Sequence, residues 1–169
     1  TFKDLKGVDY NDPKWNQLLE QISVAEMKEL ISFGGYATRE FASIDKPAVV
    51  DLDGPAGING IFQHIKGVQY NSEVVVASTW NVELAQKMGE AFADEALAHG
   101  VVGLYAPAVN IHRQPFAGRN FEYYSEDPVV SGKIASGLVK AAFDKGVYTF
   151  TKHFALNDQE TNRSGVATW

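Results

Sequence analysis

From residue 23 onward, apolar positions recur along the chain with two periods, about 3.6 and about 2, and each run predicts one element. Residues 1–21 carry no strong periodicity and read as an irregular lead-in, so the organisation expected is a lead-in over 1–22 and one domain over 23–169. Ser23-Val-Ala-Glu26 has the form of a capping box, in which hydroxyl and carboxylate satisfy each other's free backbone donors at a helix start. Met27, Leu30 and Ile31 follow at helical spacing, and Gly34-Gly35 ends that amphipathic helix. Residues 47–52, with Ala48, Val49, Val50 and Leu52, predict an apolar strand that leads into Asp53-Gly-Pro-Ala-Gly57, where two glycines and a proline force a turn. Residues 54–69 read as a long loop, and Val74 to Ala77 as a second buried strand. Asn81 caps a helix whose Ala85, Met88, Phe92 and Ala96 share one face, with Gly100 as its left-handed stop. Residues 101–111 return as a strand interrupted by Pro107, and 112–126 form a loop rich in function-capable side chains. Asp127-Pro128 starts a helix lined by Val130, Ile134, Leu138 and Ala141, which runs to Lys145 and Gly146. Val147 to Thr151 alternates β-branched and aromatic residues, reads as a buried strand, and delivers Lys152 and His153 at its end.

The order after residue 46 is thus strand, loop, strand, helix, strand, helix, strand. Strands alternating with helices imply an α/β fold with a parallel sheet and right-handed crossovers. In open sheets and in (β/α) barrels alike, the site lies at the carboxyl ends of the strands. Asp53, the Arg119 loop and Lys152-His153 all fall at such ends.

Composition narrows the partners. A chain of 169 residues, 45% hydrophobic with three Trp, has the size and apolar content of one ordinary folded domain. Its net charge of -6, with 15 scattered Lys and Arg, argues against a nucleic-acid or anionic membrane partner and for a neutral or cationic one. No run approaches the roughly 18 consecutive apolar residues of a membrane span. Residues 1–12 lack the basic region and apolar core of a signal peptide, and cysteine is absent; both lean toward the cytoplasm without fixing a compartment. The chain starts on Thr1 and stops abruptly on Trp169, which reads as a piece of something longer.

Neither G-x-G-x-x-G nor G-x-x-x-x-G-K-[ST] follows a strand, H-E-x-x-H is absent, and the four histidines are far apart in sequence, so neither a metal nor an organic cofactor is expected. His99 reads as a solvated residue complementing a helix C-terminus, while His64 and His112 leave a surface role and a site role open. Lys152, at the inner end of a core strand, must meet a carboxylate such as Asp53 or Asp51, or else face a polar cleft. Arg119 either pins Glu122 or Glu126 to the scaffold or grips sugar hydroxyls with its planar fork. Phe121, Tyr123 and Tyr124 are expected to pack beneath their loop rather than stack on a ligand. The 157–163 loop, dense in donors and acceptors, suits a polyhydroxylated ligand.

Three segments, DGPAGI at 53–58, GRNFEYYSEDP at 118–128 and KHFALNDQETNR at 152–163, together and in this order resemble the N-terminal (β/α) barrel domain of glycoside hydrolase family 3, the β-glucosidase and β-xylosidase family. The resemblance covers most of the chain from about Ser23. It implies roughly the first half of a parallel TIM-type barrel, since a complete one takes roughly 250 residues. It further implies that Asp53 accepts hydrogen bonds from hydroxyls of the non-reducing-end sugar, while Arg119, Lys152, His153 and Arg163 hold the rest of that ring. The implied reaction is exo-acting, retaining hydrolysis of a β-glucoside or oligosaccharide. Two departures stand out. Many members carry an arginine just after the D-G-P turn, where this chain has Ile58-Asn59-Gly60-Ile61. The family's aspartate nucleophile lies in an S-D-W-like motif of a later strand and its acid/base commonly in a further domain, so no catalytic residue is expected within 1–169; the remaining barrel and that domain are the implied partners.

Within the family, a β-xylosidase remains open, and the β-N-acetylhexosaminidase branch resembles K-H-F followed by a glycine- and histidine-bearing loop, which 155–163 lacks. A sugar-binding module without catalysis would use the same Asp53, Lys152 and His153. A carboxylate dyad of Asp53 with Asp158 or Glu160 is a third possibility.

Overall fold

The computed structural model describes residues 1–60 and 62–165; Ile61 of the expected loop and the last residues of the expected barrel portion, 166–169, lie outside the described residues. Two compact units divide at Asp51/Leu52.

In the first unit the lead-in is not wholly irregular. A 3-10 turn at Phe2–Leu5 and helix α1 (Lys14–Leu19) place Leu5 and Leu18 in a small core with Phe41 and Ile44, packed by Val8, Trp15, Ile22 and Leu30. Such short pieces carry too few turns for a periodic signal to emerge in sequence. Helix α2 (Val24–Phe33) begins with the expected capping box, Ser23 accepting from the Glu26 amide, and ends at Gly34. Its amphipathic face is used only through Leu30, since Met27 and Ile31 are exposed. Strand β1 (Ala37–Thr38) pairs antiparallel with Val49 and Val50 of β2 (Val49–Asp53).

In the second unit the expected long loop contains a hairpin. Strands β3 (Asn59–Gly60) and β4 (Ile65–Lys66) pair antiparallel, and Asp53 at the end of β2 stands opposite Asn59. Asparagine and glycine have low strand propensity, so this pairing is imposed by contacts remote in sequence. Gly67 N–H donates to the Ile58 carbonyl at 2.8 Å and Tyr70 N–H to that of Ala56 at 2.8 Å.

Val74 to Ala77, expected as a strand, is helix α3 (Glu73–Ser78). The Val75 and Val76 amides donate to the Ser72 carbonyl, and burial of Glu73, Val76 and Ala77 beside a half-exposed Val75 follows the helical period. Tertiary burial here overrides the strand preference of three valines.

Helix α4 (Val82–Ala98) is capped by Asn81, whose side chain accepts from the Leu84 amide at 3.0 Å, and Gly100 follows at φ +72. Helix α5 (Pro128–Asp144) is capped by Asp127. Both bury the faces that their spacing predicts, apart from Val130, which is half-buried. They approach each other closely: a Cβ on Gly89 would stand 2.4 Å from the Leu138 carbonyl oxygen.

Strand β5 (Val101–Tyr105) and strand β6 (Tyr148–Thr149) are parallel, with Gly103 opposite Tyr148. Both are shorter than the runs 101–111 and 147–151 suggest. Pro107 has no N–H to continue the ladder, yet its carbonyl accepts from the Lys152 amide at 3.0 Å, and the Val109 amide donates to the Lys152 carbonyl at 2.7 Å. The bonding pattern of the sheet therefore reaches Lys152. The strand order is β4-β3-β2-β5-β6, an α/β arrangement with a mixed sheet rather than the wholly parallel one expected. The hairpin and the β1 pairing with β2 supply the antiparallel parts, since neighbouring strands joined by a short connection need no crossover.

Glu73 is fully buried at the start of α3, and neither carboxyl oxygen meets a donor from another described residue. Burial first, and then the nearby Glu122 carboxylate, raise its pKa to about 8, against the pull of Lys152. The group is therefore protonated at neutral pH in the folded state.

Two outcomes follow. Gly89→Ala is expected to destabilise by about 1–3 kcal/mol through overpacking against α5, although helix propensity alone favours alanine by about 1 kcal/mol. Gly132→Ala, on the exposed face of α5 with open space around it, is expected to stabilise by about 0.5–1 kcal/mol; urea titration of both checks the contrast. Because the Glu73 pKa is raised on folding, the unfolded chain binds fewer protons between pH 4.5 and 8, and stability falls across that window as pH rises. Glu73→Gln is expected to change little at pH 4 and to raise stability by about 4 kcal/mol at pH 8, read from thermal melts at the two pH values.

Candidate functional site

A cleft of about 760 Å³ opens in the second unit beside the turn that follows β2. Asp53, the turn residues 54–57, Asn59 of β3, Lys66 of β4, Gly67 and Gln69 form one part of its lining; Gly118, Arg119, Phe121, Glu122, Glu160 and Arg163 form the other. The turn is tight because Gly54 adopts φ +141 and passes so close to the Gly57 carbonyl that a Cβ would overlap it.

Asp53 is held from behind. Lys152, delivered by the ladder beyond β6, donates to Asp53 Oδ1 at 2.6 Å, and the Gly54 amide donates to the same oxygen at 3.0 Å. The lysine side chain is 16% exposed and the aspartate 47%, so the ammonium is sheltered while the carboxylate opens outward. Among the described residues, Oδ2 of Asp53 accepts from no protein donor. Of the two sequence readings for Lys152, ion pair or cleft, the structure combines both: the pair lies at the cleft wall.

Arg119 likewise does two things. Its Nε donates to Glu122 Oε1, its Nη1 lies 3.6 Å from Glu160 Oε1, and it also lines the cleft. Glu122 is almost fully buried, and a buried carboxylate requires such a partner. Arg163 Nη1 donates to Glu160 Oε2 at 3.1 Å, so Glu160 sits between two guanidinium groups. Gly118 makes room for this: a Cβ there would meet the Glu160 side chain at 2.8 Å.

His153 stands apart from the other four. It lines a neighbouring depression of about 330 Å³ with Asn110, Arg113, Phe154 and Asp158. Its amide donates to Asn110 Oδ1 at 2.7 Å, and its Nδ1 lies 3.0 Å from the Tyr123 hydroxyl, which also accepts from Asn157 Nδ2 at 2.8 Å. Burial pushes the Tyr123 hydroxyl up and, with Arg119 nearby, pushes the imidazole down. At neutral pH a protonated phenol thus faces a neutral imidazole, and the tautomer of His153 sets which of the two donates. Asp158 pairs with Arg113 beside this depression, so it does not share the Asp53 cleft.

Of the aromatics, Tyr123 and Tyr124 are buried as expected, whereas Phe121 is exposed and lines the cleft. His112 serves the loop: its Nε2 faces the Asn120 carbonyl at 2.9 Å and the Tyr123 carbonyl at 3.0 Å, contacts that require a proton on that nitrogen. His64 and His99 are exposed. Among the described residues no group of three or more His, Asp or Glu is placed to hold a metal. Of the other polar lining residues, the sequence raised Glu160 only as a partner of Asp53 in a carboxylate dyad and Asn59 only at the departure after the D-G-P turn. It did not select Lys66 or Gln69. Glu160 had a signal, lying three residues before Arg163; the others belong to the hairpin that went unseen.

Residues 23–168 match the sequence model of the glycosyl hydrolase family 3 N-terminal domain. Beta-glucosidase B of Emericella nidulans is 36% identical over 152 residues, 88% of this chain and 18% of the relative. An exo-alpha-(1->6)-L-arabinopyranosidase of Bifidobacterium longum is 39% identical over 130 residues, covering 71% and 17% of the two chains. Among solved structures, beta-glucosidase 3B from Thermotoga neapolitana in complex with glycerol superposes with a TM-score of 0.75 at 39% identity over 87% of this chain and 24% of that one. The chain thus spans about a sixth to a quarter of the length of these relatives. With the family model covering most of its residues, this chain belongs to glycosyl hydrolase family 3, within the family's N-terminal domain.

Proposed function

We propose that this chain supplies the sugar-holding part of an exo-acting, retaining β-glucosidase-type hydrolase that releases the non-reducing-end sugar. Residues 23–169, after the 1–22 lead-in, would be the first part of a (β/α) barrel, with the nucleophile and acid/base contributed from outside 1–169. The observation that carries this reading is the Asp53 carboxylate: Oδ1 is committed to Lys152 and Gly54, and the acceptor Oδ2 is left for a ligand in a cleft of the size that small-molecule sites have. Arg119 and Arg163 bring cationic donors to the same cleft, and hydrogen bonds from charged donors to hydroxyls are stronger than neutral ones. The carboxylates alternate with cations, which suits a neutral polyhydroxylated ligand better than a charged one. His153 would enter this function through the neighbouring depression or through Tyr123.

The ion pairs also support the division of labour. Retaining hydrolysis needs two carboxyl groups about 5–5.5 Å apart, one as nucleophile and one as acid/base. In this cleft Asp53, Glu122 and Glu160 are each engaged by Lys152, Arg119 or Arg163, an arrangement for holding a ring rather than for transferring a proton. A bond from Asp53 to a ring hydroxyl would strengthen as charge develops on the sugar.

Turnover of an aryl β-glucoside by the complete protein tests the reading. Asp53→Asn, which removes the charge that both Lys152 and a sugar hydroxyl meet, is expected to lower kcat/KM by about 10²–10³-fold, with the released sugar keeping its β configuration by proton NMR. Sugar binding without turnover would replace the hydrolase with a binding module. Failure of both would overturn the sugar site.

A further inference from the structure

Part of the cleft lining is held by a residue that does not line it. Glu95 lies in the last turn of α4, and its Oε1 accepts from the Val68 amide at 2.5 Å. The same carboxylate occupies the space that a side chain at position 67 would need: a Cβ on Gly67 would stand 2.9 Å from Oε2 and 3.0 Å from Oε1. Val68 lies between Gly67 and Gln69, which line the cleft with Lys66.

This grip joins the hairpin to the Asp53 turn as well. Gln69 Nε2 donates to the Ala56 carbonyl at 2.7 Å, beside the Gly67 and Tyr70 amides that bond back to Ile58 and Ala56. The Val68 carbonyl oxygen fills the place of a Cβ on Gly57, 2.7 Å away. The Tyr70 ring stacks at 5.2 Å on Phe92, which α4 buries one turn before Glu95. Two-residue strands are marginal by themselves, so the position of β3, β4 and the turn depends on what they are fastened to. Helix α4 is the longer element, and among the described residues Glu95 and Phe92 attach the segment to it.

We infer that Glu95 is a positioning residue for the sugar cleft: through the Val68 N–H its carboxylate fixes where Lys66, Gln69 and the 54–57 turn stand around a bound ring. The inference rests on the cleft holding a sugar, as proposed above. Glu95 touches no reacting atom, so it governs how firmly the ring is held rather than the chemical step. A charged acceptor suits this work because its hydrogen bonds are about twice as strong as neutral ones.

The test uses the complete protein with Glu95→Ala, Glu95→Gln and Gly67→Ala. Hydrogen exchange at Val68 reads the grip without ligand, D-glucose titration reads the cleft, and aryl β-glucoside kinetics separate KM from kcat. Glu95→Ala is expected to speed Val68 exchange by about tenfold or more and to raise the glucose Kd and KM by about tenfold, with α4 exchange and kcat nearly unchanged. Glu95→Gln, which keeps an acceptor oxygen without the charge, is expected to recover about half of the loss. Gly67→Ala, which displaces the carboxylate without removing it, is expected to mimic Glu95→Ala and to add little in the double variant. Unchanged Val68 exchange and affinity in Glu95→Ala would overturn the inference, as would faster exchange throughout α4 with kcat falling alongside KM. A wild-type protein that binds no glucose would instead overturn the sugar site, and Val68 exchange distinguishes that failure from failure of the grip.

Discussion

The ion pair between Lys152 and Asp53 ties together two strand ends separated by 99 residues of chain, and the cleft is arranged around it. A sheltered ammonium needs a compensating carboxylate. Lys152 finds its partner at the point where β2 gives way to the glycine-rich turn. The pair is asymmetric in its exposure, with the lysine inside and the aspartate opening outward. The lysine therefore orients Asp53 by taking one oxygen, and the turn takes a share of the same oxygen through Gly54. The second oxygen remains available to a ligand.

Around this pair, charge is cancelled locally rather than removed. Arg119 compensates the buried Glu122, and Glu160 lies between Arg119 and Arg163. Behind them Glu73 stays protonated, because burial, and then the neighbouring Glu122 charge, outweigh the pull of Lys152. The Tyr124 hydroxyl is pushed up by burial and then by Glu73. The result is a wall of fixed donors and acceptors in which Asp53, Glu122 and Glu160 each meet a cationic partner. The same bonds that give the wall its rigidity keep its carboxylates engaged.

The two sides of the cleft are supported differently. The Arg119 loop is braced by side chains of its own neighbourhood, with the buried Tyr123 and Tyr124 below and His112 bonded to two carbonyls above. The hairpin side offers, among the described residues, short strands with a buried Ile58 at their start. It is fastened by backbone bonds to the Asp53 turn and by Glu95 and Phe92 to α4, whose close contact with α5 at Gly89 makes it a firm base.

Much of this was legible in sequence wherever a short-range signal existed. The helices α2, α4 and α5 announce themselves through Ser23, Asn81 and Asp127 as caps, because capping is settled within four residues. The motifs around Asp53, Arg119 and Lys152 point to strand ends, and four of the five residues selected meet at one cleft, three in its lining and Lys152 through Asp53. What sequence could not decide depends on burial and on pairing at a distance. The valines of 74–76 fit a strand or a helix equally, and only the inward direction of Glu73, Val76 and Ala77 makes them helical. In the hairpin, Asn59 and Gly60 of β3 have little strand propensity and β4 is only two residues long, and His153 turns to Tyr123 rather than to Asp53 because the packing of the loop places that hydroxyl against its ring. The residues determined which groups were available and where each local element begins; the tertiary structure decided which of them share a cavity, because that depends on contacts between positions far apart in the chain.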